Sequence, residues 1–192
     1  MALHTQANVQ TQVSAPLALG LAMRKLPGQY IKVLPRPSVK TFADEKDKAS
    51  WSINWIQFIG LGIIGAILQS LGLLISPPAL GNLANTAGMS SSALLTTIII
   101  FLAVVEIILT PVSFLAVGGI LFIIARAFGG TGTFREQIYT TLLFGVPLVI
   151  ASYLLFLIPV VGVWLLYLPH IYSVVLLFIS FRAVHCFGMK KI

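Results

Sequence analysis

Long apolar runs dominate the chain from Trp51 to Gly188. Four stretches, at residues 53–75, 93–127, 137–158 and 163–187, consist mainly of Leu, Ile, Val, Phe and Ala, with prolines, glycines and short polar segments between them. An apolar stretch of about 20 residues is long enough to cross the hydrocarbon core of a bilayer as a helix. The pattern therefore predicts an all-α integral membrane protein.

The second run is too long for one upright span. Its 35 residues would form a helix of about 52 Å, against a hydrocarbon core of roughly 30 Å. Two arrangements fit. In one, a single long helix is kinked at Pro111 and extends past the bilayer at Arg126. In the other, two short helices are hinged near Thr110 and Pro111.

The few charged residues predict the topology. Only five occur between Trp51 and Gly188, namely Glu106, Arg126, Arg135, Glu136 and Arg182. Loops with excess Lys and Arg face the cytoplasm, so Arg126, Arg135 and Arg182 mark a cytoplasmic boundary if the second run crosses once. We therefore predict a bundle of four kinked transmembrane helices with both termini cytoplasmic, or five helices if the second run crosses twice. In a prokaryote the membrane would be the plasma membrane.

Composition supports this class and sets the first 50 residues apart. The chain is 58% hydrophobic and 9% charged, whereas a soluble domain is about 25% charged. Residues 1–50 carry seven cations and three acids and form a short polar tail before the multipass domain at 51–192. The part from Tyr30 to Trp51 mixes cations with apolar residues and is a candidate interfacial amphipathic segment. Membrane lipids and proteins at the cytoplasmic face are the expected partners, and nucleic acid is not.

Catalytic and metal-binding patterns are missing from the sequence. There is one cysteine, and there is no Ser-His-acid set, no carboxylate pair and no metal-ligand spacing. We therefore predict neither an enzyme nor a cofactor or metal site.

Three polar residues within the apolar runs are candidates for an intramembrane site. Glu106 is the only acid deep inside a run, and such a residue is a candidate proton or cation site unless it is protonated and hydrogen-bonded to a neighbouring helix. His170 follows Pro169, and Tyr172 lies two positions further on. This pair could bind an ion or relay protons, or the histidine could satisfy a carbonyl that the proline leaves open.

Prolines and small residues suggest how the helices bend and pack. Hinged helices of transporters use proline breaks to expose backbone, but neighbouring groups can equally absorb the lost hydrogen bonds. The predicted kinks are at Pro111, Pro147, Pro159 and Pro169. Gly62, Ala66 and Ser70 place three small side chains on one face of the first span, so that another helix can approach closely, within the chain or in a homo-oligomer.

Several short motifs follow one another in a specific order: Tyr30–Pro37, Thr41-Phe42, Ala49–Trp51, Phe128–Arg135, Gly145–Pro147, Ile158–Gly162, Ile171-Tyr172 and Arg182–His185. Together they resemble the motifs of the Yip family of small multipass proteins that interact with Rab/Ypt GTPases, in its prokaryote-type form. The resemblance implies an α-helical membrane domain without catalytic residues. In the eukaryotic branch it also implies membrane traffic and organisation through protein partners.

Two functions follow as hypotheses. The first is a Yip-type membrane scaffold or interaction protein that acts in membrane organisation or trafficking. The alternative is a small transporter or channel subunit that uses Glu106 and the proline-broken helices.

Overall fold

The computed structural model describes residues 19–158 and 160–186, which form eight helices. The helices are α1 (Leu19–Val33), α2 (Val39–Lys46), α3 (Trp51–Ile75), α4 (Gly81–Thr86), α5 (Ser91–Ala127), α6 (Phe134–Phe156), α7 (Gly162–Leu165) and α8 (Tyr167–His185). No strand occurs in these two ranges. Residues 1–18 and 187–192, whose two ends are predicted to be cytoplasmic, lie outside the described residues.

Four helices, α3, α5, α6 and α8, are long and apolar enough to cross a membrane. This confirms the predicted all-α membrane bundle. The second apolar run is one continuous helix of 37 residues, about 55 Å long, with Pro111 inside it. The alternative of two short hinged helices, which gave five spans, is therefore wrong.

Local sequence signals explain where these helices begin and end. Ser50 and Ser90 accept hydrogen bonds from the backbone at the starts of α3 and α5. Thr133 and Glu136 form a complete capping box at the start of α6. Helix α3 ends at Ile75, directly before Ser76 and two prolines that cannot continue it.

The fourth apolar run differs from its predicted form. It contains a short helix, α7, and the longer α8, with Leu166 at the junction. Pro169 lies in the first turn of α8, where a helix has no use for the N–H that proline lacks. It therefore belongs to a helix start, whereas the sequence suggested a kink inside a span.

The bundle is built around α6. Helix α3 packs against both α5 and α6, and α8 packs against α6. Between α3 and α6 lies a buried apolar cluster of Phe58, Leu61, Ile138, Leu142 and Val146. In α6, ten of the 23 residues are buried, whereas α5 buries only Thr110, Gly118 and Ala125. Most of α5 therefore faces outward.

Helices α1 and α2 form a hairpin that shares the core of the membrane bundle. Leu26, Val33, Phe42 and Ala49 are buried together with residues of α6 and α8, namely Tyr139, Leu143, Phe144, Leu176 and Ala183. The ring of Phe42 packs edge-on against that of Phe144, with centroids 6.0 Å apart. The tail and the multipass domain are thus joined by continuous apolar packing.

Candidate functional site

Glu106 lies on α5 at the junction of three helices. Its Oε1 atom accepts a hydrogen bond from the Tyr153 hydroxyl of α6 at 2.6 Å and another from Thr110, one turn further along α5, at 3.0 Å. Gly65 of α3 leaves the space for both side chains. A Cβ atom there would lie 3.1 Å from Glu106 Oε1 and 3.0 Å from the Tyr153 ring. The carboxyl group is therefore held between helices, which is the arrangement expected of a glutamate hydrogen-bonded to a neighbouring helix.

Tyr153 was not identified from the sequence. It follows Glu106 by 47 residues, on a different helix, so only the register between α5 and α6 brings the two together. An aromatic hydroxyl in an apolar run was the available signal, because a buried tyrosine hydroxyl usually has a polar partner.

His170 and Tyr172 do not form a pair in the structure. The Nδ1 atom of His170 donates to the carbonyl of Leu166 at 2.7 Å, one turn earlier near the start of α8. The Tyr172 hydroxyl donates to the carbonyl of Leu34, in the loop after α1. One residue therefore serves its own helix end, and the other ties α8 to the N-terminal hairpin.

A groove of about 300 Å³ lies between α5, α6 and α8. Its walls are largely apolar, with Val117 on α5, Leu148 on α6 and Val174 on α8, while His170 and Ser173 add polar atoms. Glu106 does not line this groove. Glu106 and this groove are therefore separate features.

The small-residue face of α3 meets α5 at very short range. A Cβ atom on Gly62 would lie 3.0 Å from Ile107 Cα and 3.5 Å from its carbonyl oxygen. That carbonyl lacks its usual helical donor because Pro111 has no N–H. Ala66 is buried, and its carbonyl accepts a bond from the Ser70 hydroxyl at 2.6 Å.

The predicted kink positions have different surroundings. Pro111 and Pro147 lie inside α5 and α6, and neither interrupts its helix. Pro159 lies outside the described residues. Among the residues that the structure describes, no group of three or more His, Cys, Asp or Glu side chains could hold a metal ion.

Arg126, Arg135 and Arg182 lie together at one end of the bundle. They are exposed where α5 ends, α6 begins and α8 ends. At this end Asn54 of α3 donates to the carbonyl of Arg135 at 3.3 Å, and Thr131 N–H donates to the carbonyl of His185 at 3.2 Å. We call this end, where α3 and α6 begin and α5 and α8 end, the basic end.

Buried polar side chains join the spans just inside the basic end. Gln137 of α6 donates to the carbonyl of Gly118 at 2.8 Å, and its side-chain oxygen accepts from His185 Nε2 at 2.8 Å. Ser180 donates to Thr140 at 2.9 Å. Gln137, Thr140 and Ser180 were not singled out from the sequence, where they lie within the apolar runs, and His185 entered only through the motif Arg182–His185.

A second polar cluster fastens the hairpin of α1 and α2. Glu45 is only 1% exposed and accepts hydrogen bonds from Gln29, Lys32 and Lys48 at 2.7–2.9 Å. The Tyr139 hydroxyl of α6 donates to Gln29 at 3.1 Å. Burial acts to raise the pKa of Glu45, but the bonds from the two lysines outweigh it, so that the pKa is lowered.

Tyr30 provides a further link between the hairpin and the bundle. Its hydroxyl donates to the side-chain oxygen of Gln57 on α3 at 3.0 Å. Burial raises the pKa of Tyr30 to about 12. The phenol therefore stays protonated and remains a hydrogen-bond donor at physiological pH.

Comparison with known proteins gives one match. The family model described as the Yip1 domain matches residues 31–192, which is most of the chain. No curated protein and no solved structure matches it.

Proposed function

This chain belongs to the Yip1 domain family, and from that premise we propose that it is a membrane scaffold or interaction protein that organises membrane or traffic through the cytoplasmic face of its helix bundle. The observation that carries the proposal is the basic end. There three exposed arginines lie at the ends of the spans, and the hairpin is fastened to the same spans through the buried cluster around Glu45.

The charge distribution supports a cytoplasmic basic end. The described residues contain ten Lys and Arg side chains and five acids, and every one except Glu106 lies before α3 or at the basic ends of α5, α6 and α8. At the opposite end, the segments from Ser76 to Ser90 and from Leu157 to Leu166 carry no charge among the described residues. The positive-inside rule assigns the basic end to the cytoplasm.

The surroundings of Glu106 favour a scaffold over a transporter. An acid in a conduction path needs an open side toward a cavity, whereas Glu106 accepts bonds from Tyr153 and Thr110 and lies outside the groove. These contacts suit a residue that holds α5 against α6.

Orientation is tested by a tag at the C-terminus of the full chain. We expect the tag to be inaccessible to protease or antibody in intact cells and accessible after permeabilisation. A tag that is accessible from outside would overturn the orientation, and with it the cytoplasmic face of the proposal.

Function is tested by affinity capture from native membranes in mild detergent. The triple variant Arg126→Gln, Arg135→Gln and Arg182→Gln changes the basic end, and Asn82→Ala with Asn85→Ala is the matched change at the opposite end. We expect partners captured by the wild type to be lost only with the triple variant. An unchanged set of partners would refute the proposal.

A flux assay separates the scaffold from the transporter. The full chain and Glu106→Gln are reconstituted in liposomes. We expect neither to move protons or cations above protein-free controls. Flux through the wild type that Glu106→Gln abolishes would favour the transporter instead.

A further inference from the structure

The hairpin of α1 and α2 lies alongside the spans and extends from their basic ends toward the middle of the bundle. Tyr172, which donates to the Leu34 carbonyl, precedes the last residue of α8 by 13 positions, or about 20 Å of helix. Phe144, which packs on Phe42, is ten positions into α6, or about 15 Å. Since these spans are long and apolar enough to cross a membrane, the hairpin lies beside their basic halves, within the depth of one leaflet.

The outward surface of the hairpin combines cations with large apolar side chains. Arg24, Lys25, Arg36 and Lys40 are all exposed. Leu21 is 48% exposed and Ile31 is 71% exposed, on the face of α1 that points away from the core. In water such apolar side chains would be costly, whereas at a membrane interface they enter the acyl region while long cationic side chains extend to the phosphates.

Of the three other lysines before α3, Lys46 is half-buried at the end of α2, and the remaining two are paired with one acid. Lys32 and Lys48 both bind Glu45, at 2.9 Å and 2.7 Å. The structure thereby separates two paired cations, which hold the hairpin closed, from four cations whose charge is directed outward.

We propose that this outward surface is a binding site for the head groups of anionic phospholipids, with Arg24, Lys25, Arg36 and Lys40 at the phosphates and Leu21 and Ile31 among the acyl chains. The inference deepens the proposed function and rests on it for the leaflet, which is the cytoplasmic one. Charge complementarity selects the ligand, since the cytoplasmic leaflet is the one rich in anionic lipid.

Native mass spectrometry of the detergent-solubilised full chain tests the site. Phosphatidylglycerol and phosphatidylcholine are titrated separately, and the ratio of their affinities is measured. Each cation near an anionic head group contributes roughly fivefold in affinity. We expect the quadruple variant Arg24→Gln, Lys25→Gln, Arg36→Gln and Lys40→Gln to lower the ratio at least tenfold. Salt at 0.5 M should have the same effect, because it screens exposed charges.

Two further variants keep the test decisive if the quadruple variant misfolds. Exchanging the two arginines, Arg24→Lys with Arg36→Lys, keeps the charge and should retain at least half of the preference on a logarithmic scale. Neutralising Arg126, Arg135 and Arg182 together removes three exposed cations outside the hairpin and should lower the ratio less than the quadruple variant does.

An unchanged affinity ratio in the quadruple variant would overturn the inference. An equal loss of lipid preference in the variant of Arg126, Arg135 and Arg182 would also overturn it. If the quadruple variant lost protein partners but kept its lipid preference, the inference would likewise fail, because the surface would then bind an acidic protein. The proposed function has its own test in the capture experiment, so lipid preference and scaffold activity can fail separately.

Discussion

Replacing Tyr153 by phenylalanine removes one hydroxyl from the junction of three helices. The hydroxyl donates to Glu106 at 2.6 Å, and the ring lies against Gly65, so the substitution deletes the bond and keeps the packing. Hydrogen bonds between membrane helices contribute about 0.6 kcal/mol on average and up to roughly 2 kcal/mol. Because this bond is short and reaches a carboxyl group, we expect Tyr153→Phe to destabilise the bundle by roughly 1–2 kcal/mol.

A double-mutant cycle isolates this bond from other effects of the substitutions. Glu106→Leu removes the acceptor, so Tyr153→Phe in that background should cost almost nothing, with a coupling energy of roughly 1–2 kcal/mol. Glu106→Gln keeps an oxygen that can accept from Tyr153 and should be nearly neutral for stability. Tyr167→Phe, at a position that is 59% exposed, is the matched control.

Reversible unfolding of the full chain in mixed micelles, driven by increasing SDS and followed by tryptophan fluorescence, measures these free energies. A coupling energy below about 0.3 kcal/mol, which is the usual error of additivity, would show that the two side chains contribute independently. The structural role assigned to Glu106 would then be refuted.

The remaining predictions concern packing and charge. Gly62→Ala should destabilise the bundle by roughly 1–3 kcal/mol, because the added Cβ would lie 3.0 Å from the Ile107 backbone. Gly60→Ala, which meets nothing within 4 Å, should not, and equal unfolding midpoints in SDS would contradict the close packing of α3 on α5. The lowered pKa of Glu45 stabilises the fold above the ordinary carboxyl pKa, and this stability is lost as the pH falls through the folded pKa. Thermal unfolding from pH 7 to pH 3 should therefore show a loss of stability that Glu45→Gln abolishes. We expect a loss of only roughly 1–2 kcal/mol, because the two lysine side chains are half exposed. The same loss in Glu45→Gln would exclude this carboxylate as its source.

The sequence predicts the spans well because the bilayer imposes a simple rule. A charge costs several kcal/mol inside hydrocarbon, so the ends of α3, α6 and α8 fall close to the expected positions. Serine caps and the capping box at Thr133 are equally local signals, and both are found. Helix α1, by contrast, has Pro27 inside it, and nothing local indicates that the tail folds onto the bundle.

Contacts between helices could not be predicted, because they depend on register. Glu106 meets Tyr153, and Gln137 meets His185, only when antiparallel helices are aligned to within one turn. Apolar runs that are hydrophobic all round contain little information about that alignment. The same limitation explains why Tyr172, expected beside His170, bonds instead to Leu34, 138 residues away in the chain.

Helix length explains why the buried polar side chains concentrate near the basic end. Helices α3 and α6, with 25 and 23 residues, are about 38 Å and 35 Å long, which exceeds a hydrocarbon core of roughly 30 Å by about 8 Å and 5 Å. If that excess lies at the basic end, Asn54 and Gln137 lie at head-group depth, where burial of a hydrogen-bonded amide costs little. Their hydrogen-bond partners, the Arg135 carbonyl and the His185 ring, then lie at the same depth.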